Sequence, residues 1–487
     1  GSLSGTNGVR LVPIPGNQTG TQNSFVYAQI DNAGTISGTS GYAVFSSQPT
    51  TSGFNLITNR ASGVIGAIFG PIGTLNNAGR IEGGALAAID TAPRFFTSGI
   101  APTAVTNSGT ITSNAASTIV IGSNLAVSNT GLIQNGGGGS AISGNALTVT
   151  NGAGGRVLTA GSANAIDAVS SLQLTNAGTI VGNLFVAPGV GPRGSSVIDS
   201  TNGTVSGNLR LGDANDTLVA RYQGSPTLFT GISGTIDGGL GTNTVRIAAP
   251  VSTTINTPIA LPTNFQLLSL APSSNATITL APGFVAPGTI RIIGQGSIVN
   301  TAALTFTGAA FVTDSDFVGS LTNAGSIVAT GLMSPQSFAI NAFGATRITN
   351  SGTITVSGGG GIAQFSSSFE NSGTITARDV GVNIVHGLFS NSGTIVSTSG
   401  TGVVLFGNVG VTSSNNGIIR GATNGVSTNI FLTSFGTIAS SNVGVEVQPY
   451  GYLINAAGGI VDGAVTVRAF NAGVANAGTI NGNVTLN

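Results

Sequence analysis

The 487-residue chain contains no cysteine, no tryptophan and no lysine, has one methionine and one histidine, and only 6% of it is charged. Without cysteine there is no disulfide framework, no thiol nucleophile and no cysteine-ligated metal. Without lysine the basic residues are 14 arginines, scattered from Arg10 to Arg468 and balanced by 14 acids to a net charge of zero. The concentrated positive field that nucleic acid or an anionic membrane requires is therefore missing. No segment reaches the roughly 18 consecutive apolar residues of a membrane-spanning helix. The first residues lack the basic start and apolar run of a signal peptide.

What is present points to a packed β-protein. Hydrophobic residues make up 40% of the chain, enough for a core and far from the composition of disorder. Glycine supplies 77 residues, and the abundant Ala, Val, Thr, Ile, Ser and Asn favour strands and turns.

One phrase recurs along most of the chain: an apolar residue, a spacer, Asn, a small residue, Gly, usually Thr, then Ile. It stands at Asn32, Asn77, Asn107, Asn176, Asn323, Asn350, Asn371, Asn391 and Asn476, with degenerate copies at Asn59, Asn129, Asn151, Asn202, Asn415, Ser434 and Asn455. From Asn350 onward the steps between these positions are 21, 20, 24, 19, 21 and 21 residues. That is the length of one coil of a β-solenoid, not of a propeller blade or a helical repeat. The expected fold is all-β, a right-handed single-stranded parallel β-helix with about 20–22 residues per coil. The apolar residue two before Asn (Ile30, Val105, Leu174, Ile348, Phe369, Val474) and the closing Ile suit a narrow core. The Gly is expected to supply a positive φ at a corner. The corner Asn is expected to stack on the Asn of the next coil in an amide ladder. At roughly 4.8 Å between stacked strands the array would be on the order of 100 Å long.

The phrase weakens between Asn202 and Asn323, where Pro250, Pro258, Pro262, Pro272, Pro282 and Pro287 accumulate. One continuous β-helix over 1–487 is expected, with regular coils and loop insertions in 1–202, irregular central coils in 203–320 and regular coils in 321–487. Excursions at 66–74, 89–102 and 187–196 are expected to be projecting loops, the usual place for function on a solenoid.

Candidates for chemistry are sparse. Gly238-Gly239-Leu240-Gly241-Thr242-Asn243-Thr244-Val245 nearly matches the calcium-binding nonapeptide of parallel β-rolls, with Asn243 in place of the acid. Asp213, Asp216 and Asp237 are the candidate metal ligands, against the reading of all three as solvated turn residues, and no cofactor is expected. The pairs Asp213/Asp216 and Asp314/Asp316 are the nearest approach to a hydrolytic carboxylate pair, and alternation would put Asp314 and Asp316 on one face. A Ser/His/Asp triad would have to use His386, and no Gly-x-Ser-x-Gly elbow accompanies it in a strand–turn–helix setting. No catalytic residue is nominated. Tyr450 and Tyr452, flanking Gly451, are the candidate binding residues, with corner packing as the competing role. Regular Thr-x-Thr arrays of the ice-binding kind are missing.

The repeated Asn-Ala/Ser-Gly-Thr-Ile phrase, together with Leu211-Gly212-Asp213-Ala214-Asn215-Asp216-Thr217-Leu218, Gly234 to Val245, and Phe265-Gln266-Leu267-Leu268-Ser269-Leu270, resembles the passenger regions of bacterial autotransporters and related secreted β-helix adhesins. The resemblance implies export across the outer membrane and a solenoid presented outside the cell. The family's C-terminal outer-membrane β-barrel is not among these residues, and the last coil is cut at Asn487. A fragment or cleaved passenger, or a different secreted solenoid, is therefore expected. The resulting expectation is a non-enzymatic, secreted or cell-surface passenger for adhesion, aggregation or biofilm formation. Its partners would be host or sister-cell surfaces, glycans or matrix, with self-association but no nucleic acid and no membrane insertion of this segment. The alternatives are a protein assembling end to end into an extracellular filament or sheath, and a polysaccharide-degrading β-helix enzyme.

Overall fold

The computed structural model describes residues 2–5, 9–11, 29–39, 41–46, 56–70, 72–91, 103–122, 124–189, 194–224, 228–334, 336–344, 346–365, 367–407, 412–468 and 471–487. Much of the expected excursion at 89–102, and the middle of that at 187–196, fall outside them. The described residues are all-β without a helix: parallel strands stacked in a solenoid of about 18 turns, a parallel β-helix. By its internal contacts the chain forms two compact units, residues 1–220, 229–245 and 262–265, and residues 221–228, 246–261 and 266–487.

In the second unit a coil is three short strands joined by tight corners. One coil runs Ser368–Asn371, Thr374–Ala377 and Val380–Val385, and the next runs Leu388–Asn391, Thr394–Ser397 and Thr401–Phe406. Strands this short follow from the corner residues, which interrupt every apolar alternation after two or three inward positions. Pairing is in register, Ile348 on Phe369 on Phe389 along one side and Ile354 on Ile375 on Ile395 along the next. The first unit repeats the scheme, with inward columns Ile81–Ile111–Ile133–Val157–Ile180 and Ile89–Ile119–Ile142–Ile166. These side chains are almost fully buried. At about 1.5–3 kcal/mol for each buried Val, Leu, Ile or Phe, burial is large, yet a lone coil has nothing to bury against. Stability therefore comes from neighbouring coils.

The asparagines form the ladder expected of them. In the first unit Nδ2 of Asn32 donates to Oδ1 of Asn59, and the relay continues through Asn77, Asn107, Asn129, Asn151 and Asn176 at 2.7–2.8 Å. It ends on the Ser200 hydroxyl, 2.8 Å from Asn176. Asn202, read as a rung from sequence, lies in the exposed turn beyond Ser200. In the second unit the relay runs Asn300, Asn323, Asn350, Asn371, Asn391, Asn415 and Ser434, then resumes from Asn455 to Asn476. Asn300 was missed because Ala302 replaces the glycine of its phrase. The buried amides also donate to backbone carbonyls, as Asn77 does to Gly79 and Thr110, which satisfies the buried corner polar groups except Oδ1 of Asn455.

The phrase glycines do not have positive φ: Gly79, Gly109, Gly352, Gly373 and Gly393 all lie outside that region, contrary to the sequence expectation. Their reason is close approach between coils. A Cβ on Gly109 would sit 2.1 Å from the Gly79 carbonyl oxygen, one on Gly373 2.1 Å from that of Gly352, and one on Gly393 2.1 Å from that of Gly373. A second glycine column, Gly361, Gly381, Gly402, Gly425 and Gly444, was not read from sequence although it keeps the same period. On the first four a Cβ would stand 2.6–2.8 Å from Cγ2 of Ile375, Ile395, Ile419 or Ile438, the closing Ile of the phrase, and on Gly444 2.8 Å from Cγ1 of Val461. The core is too narrow at that corner for any side chain.

Candidate functional surface

Each of the three aspartates named as metal candidates accepts a backbone N–H, Asp213 and Asp216 from a coil away and Asp237 from its own turn. Asp213 Oδ2 accepts the Gly189 N–H at 2.8 Å. Asp216 Oδ1 accepts the Ser196 N–H at 2.6 Å, and the Asp216 N–H in turn donates to Asn243 Oδ1 at 2.8 Å. Asp237 Oδ1 accepts from the Gly239 N–H at 2.9 Å and from Asn264 Nδ2 at 2.7 Å. One oxygen of each carboxylate is thus taken by an N–H donor, and among the described residues no three His, Asp or Glu side chains gather where they could hold a metal. Asn243 sends its Nδ2 to the carbonyls of Gly238, Leu240 and Asn264, while Gly239 and Gly241 take the left-handed turns at φ +70° and +82°. The stretch resembling a calcium nonapeptide is thus a corner braced by an asparagine.

Electrostatics separate the three. The Gly239 N–H and the Asn264 amide hold Asp237 below the ordinary carboxyl range. Burial pushes Asp216 up to about 6, against the Ser196 hydrogen bonds and with help from the charge of Asp213. Asp216 is 1% exposed, so it is not the solvated turn residue of the sequence reading. The signal that could have placed it inside was its spacing of one coil from both Ser196 and Asn243.

The remaining candidates are dispersed. The strand Phe311–Thr313 ends before Asp314, and Asp314 to Phe317 is a turn closed by the Phe317 N–H on the Asp314 carbonyl at 3.1 Å. Alternation therefore does not apply to Asp314 and Asp316. Asp314 pairs with Arg291 at 2.7 Å, and Asp316 accepts from the Ser315 hydroxyl at 3.4 Å. His386 is not a strand residue: it is exposed at a corner with φ +58°, its N–H donating to the Phe406 carbonyl at 2.7 Å. Tyr450 is an exposed corner residue with φ +68°. Tyr452 stacks on Phe431 of the preceding coil at 5.5 Å and covers Gly473 of the next, where a Cβ would meet its ring at 2.6 Å. Its ring is engaged within the sheet.

Register also assembles outward columns, of which only the recurring Thr before Ile was legible in the sequence. In the first unit Asp167, Phe185, Arg210 and Asp237 follow one another on successive coils. Asp167 is raised by burial while Asp237 is lowered, the divergence expected of an acid and a base. They are three coils apart, however, about 14 Å at roughly 4.8 Å per coil. Glycoside hydrolysis requires carboxyls roughly 5–9.5 Å apart. In the second unit Thr353, Thr374 and Thr394 form an outward hydroxyl column beside Thr355 and Thr376. A separate apolar ridge is made by Phe343 stacked on Phe365 at 5.3 Å, then Val385 and Phe406 in register. Phe406 and the neighbouring Leu388 are more than half exposed.

Fold and surface together define a parallel β-solenoid whose charged groups are few, with four ion pairs joining neighbouring coils among the described residues. Compared with models of known families, with curated proteins and with solved structures, the chain matches none.

Proposed function

We propose that this chain is the adhesive portion of a secreted or surface-displayed protein, a non-enzymatic solenoid of the autotransporter-passenger kind that binds cell surfaces, glycans or matrix. The observation that carries the reading is the pairing of a rigid amide-laddered interior with outward columns of hydroxyl, amide and apolar groups in register over many coils. Such columns suit repeated weak contacts over a large area, in which avidity rather than one pocket supplies affinity. The tethered carboxylates support the non-enzymatic part, because Asp213, Asp216 and Asp237 are held by backbone N–H groups and Asp314 and Glu370 by arginines.

The test is binding of the purified chain to bacterial and host cells, to a glycan array and to matrix proteins, with a cell-aggregation assay alongside. Saturable binding or faster aggregation is expected. Failure in all of these, polysaccharide turnover by the purified chain, or ordered polymers under the electron microscope would replace the reading.

A further inference from the structure

Asp216 stands out as a buried acid with one carboxyl oxygen left unpartnered. Its Oδ1 accepts the Ser196 N–H, while its Oδ2 is buried and has no hydrogen-bond partner. Asn243 occupies the same role one coil later, its Oδ1 accepting the Asp216 N–H. In the position where Asp216 has Oδ2, Asn243 carries an NH2 group that donates to three carbonyl oxygens. A protonated acid resembles that amide, with one oxygen accepting and the other bearing hydrogen. An ionised one leaves a buried charge compensated only by the hydrogen bonds of Ser196.

We propose that Asp216 is a proton-binding site built into the stack: in mildly acidic solution the folded chain holds it as the neutral acid, with the proton on Oδ2, and its ionisation as pH rises loosens the contacts among the coils of Ser196, Asp216 and Asn243. This stands apart from the adhesive reading. The surrounding charges are few. Asp213 faces it and disfavours its ionisation. Asp199, on the preceding coil, is turned to the Thr201 amide and hydroxyl at 3.0 and 2.7 Å. Arg221 and Arg246 lie further along the strands Thr217–Tyr222 and Thr244–Ala249. The Ser196 hydroxyl accepts the Leu172 N–H at 3.1 Å, and its hydrogen bond to Asp216, with that of the Ser196 N–H, is what favours the charged form.

The sign follows from linkage. A carboxyl held above its ordinary range keeps a proton that the opened chain releases, so local stability falls as pH rises from the ordinary carboxyl range through about 6. Hydrogen exchange on the whole chain, corrected for intrinsic rates, reads this at the Ser196, Asp216 and Thr217 amides. Between pH 4.5 and 7.5 the opening equilibrium of these amides is expected to rise on the order of tenfold. Asp216→Asn, which keeps the Oδ1 acceptor and supplies the donor permanently, is expected to abolish the rise and protect these amides at pH 7.5. An unchanged opening equilibrium in the wild type, or the same rise in the variant, overturns the proposal. So does protection restored at pH 7.5 by calcium alone, which would assign the carboxylate to a cation. The wild-type measurement decides by itself if the variant does not fold.

Discussion

Nδ2 of Asn350 donates to Oδ1 of Asn371 across 2.7 Å, with both amides buried and 21 residues apart in the chain. Asn371 passes the same bond to Asn391 at 2.7 Å. An amide inside the relay is donor to one coil and acceptor from another, so removing one orphans groups on both sides. Asn371→Ala leaves Nδ2 of Asn350 and Oδ1 of Asn391 without their side-chain partners. At about 1–3 kcal/mol for a buried unsatisfied group, a loss of about 3 kcal/mol is expected. Urea unfolding, with hydrogen exchange at the flanking coils, measures it, and a loss below about 1 kcal/mol would contradict a structural ladder.

The ladder breaks at Ser434. Its hydroxyl accepts from Asn415 at 3.2 Å and donates to the Gly436 carbonyl at 3.4 Å, so it has no proton for the next rung. Oδ1 of Asn455 is accordingly buried without a partner. Ser434→Asn is expected to close the gap and stabilise the local coils by about 1 kcal/mol, the usual net value of a hydrogen bond. Slower exchange at the amides around Asn455 would show it. Destabilisation would mean that the corner cannot take the larger side chain.

Two glycine substitutions separate close approach from backbone freedom. Gly373→Ala puts a Cβ 2.1 Å from the Gly352 carbonyl oxygen, a contact only a shift of the coil relieves. A loss of at least about 2 kcal/mol is expected, at the upper end of overpacking costs. Gly288→Ala meets nothing within 4 Å and has no positive φ, so it should be neutral or gain up to about 1 kcal/mol. Equal melting temperatures for the two variants would refute the steric account.

Asp237 predicts a pH effect opposite to that of Asp216. Its carboxylate is favoured in the folded chain by the Gly239 N–H and the Asn264 amide, so its contribution is present above the ordinary carboxyl range. It is lost as pH falls below that range and the group takes up a proton. Thermal unfolding between pH 2 and 5 should show a shallower acid loss in Asp237→Asn than in the wild type. Parallel profiles would count against it.

The repeat period, the inward apolar positions and most asparagine rungs were legible in the sequence, because each is written again in nearly every coil and obeys local alternation and corner chemistry. The parallel β-solenoid follows from those alone. What only the tertiary structure decided lies between coils. The phrase glycines are needed for contact with a carbonyl a coil away and not for their φ, Ser200 takes the rung that Asn202 was read to hold, and Gly381 is forced by the Cγ2 of Ile395. The candidate residues divide in the same way. Asp213, Asp216 and Asp237 were visible as a cluster in the chain, but whether each meets solvent, an N–H or another acid depends on the exact register of coils about 20 residues apart. A shift of one residue turns an inward side chain outward, so burial at Asp216 and the outward columns through Arg210 and Phe406 are set by stacking.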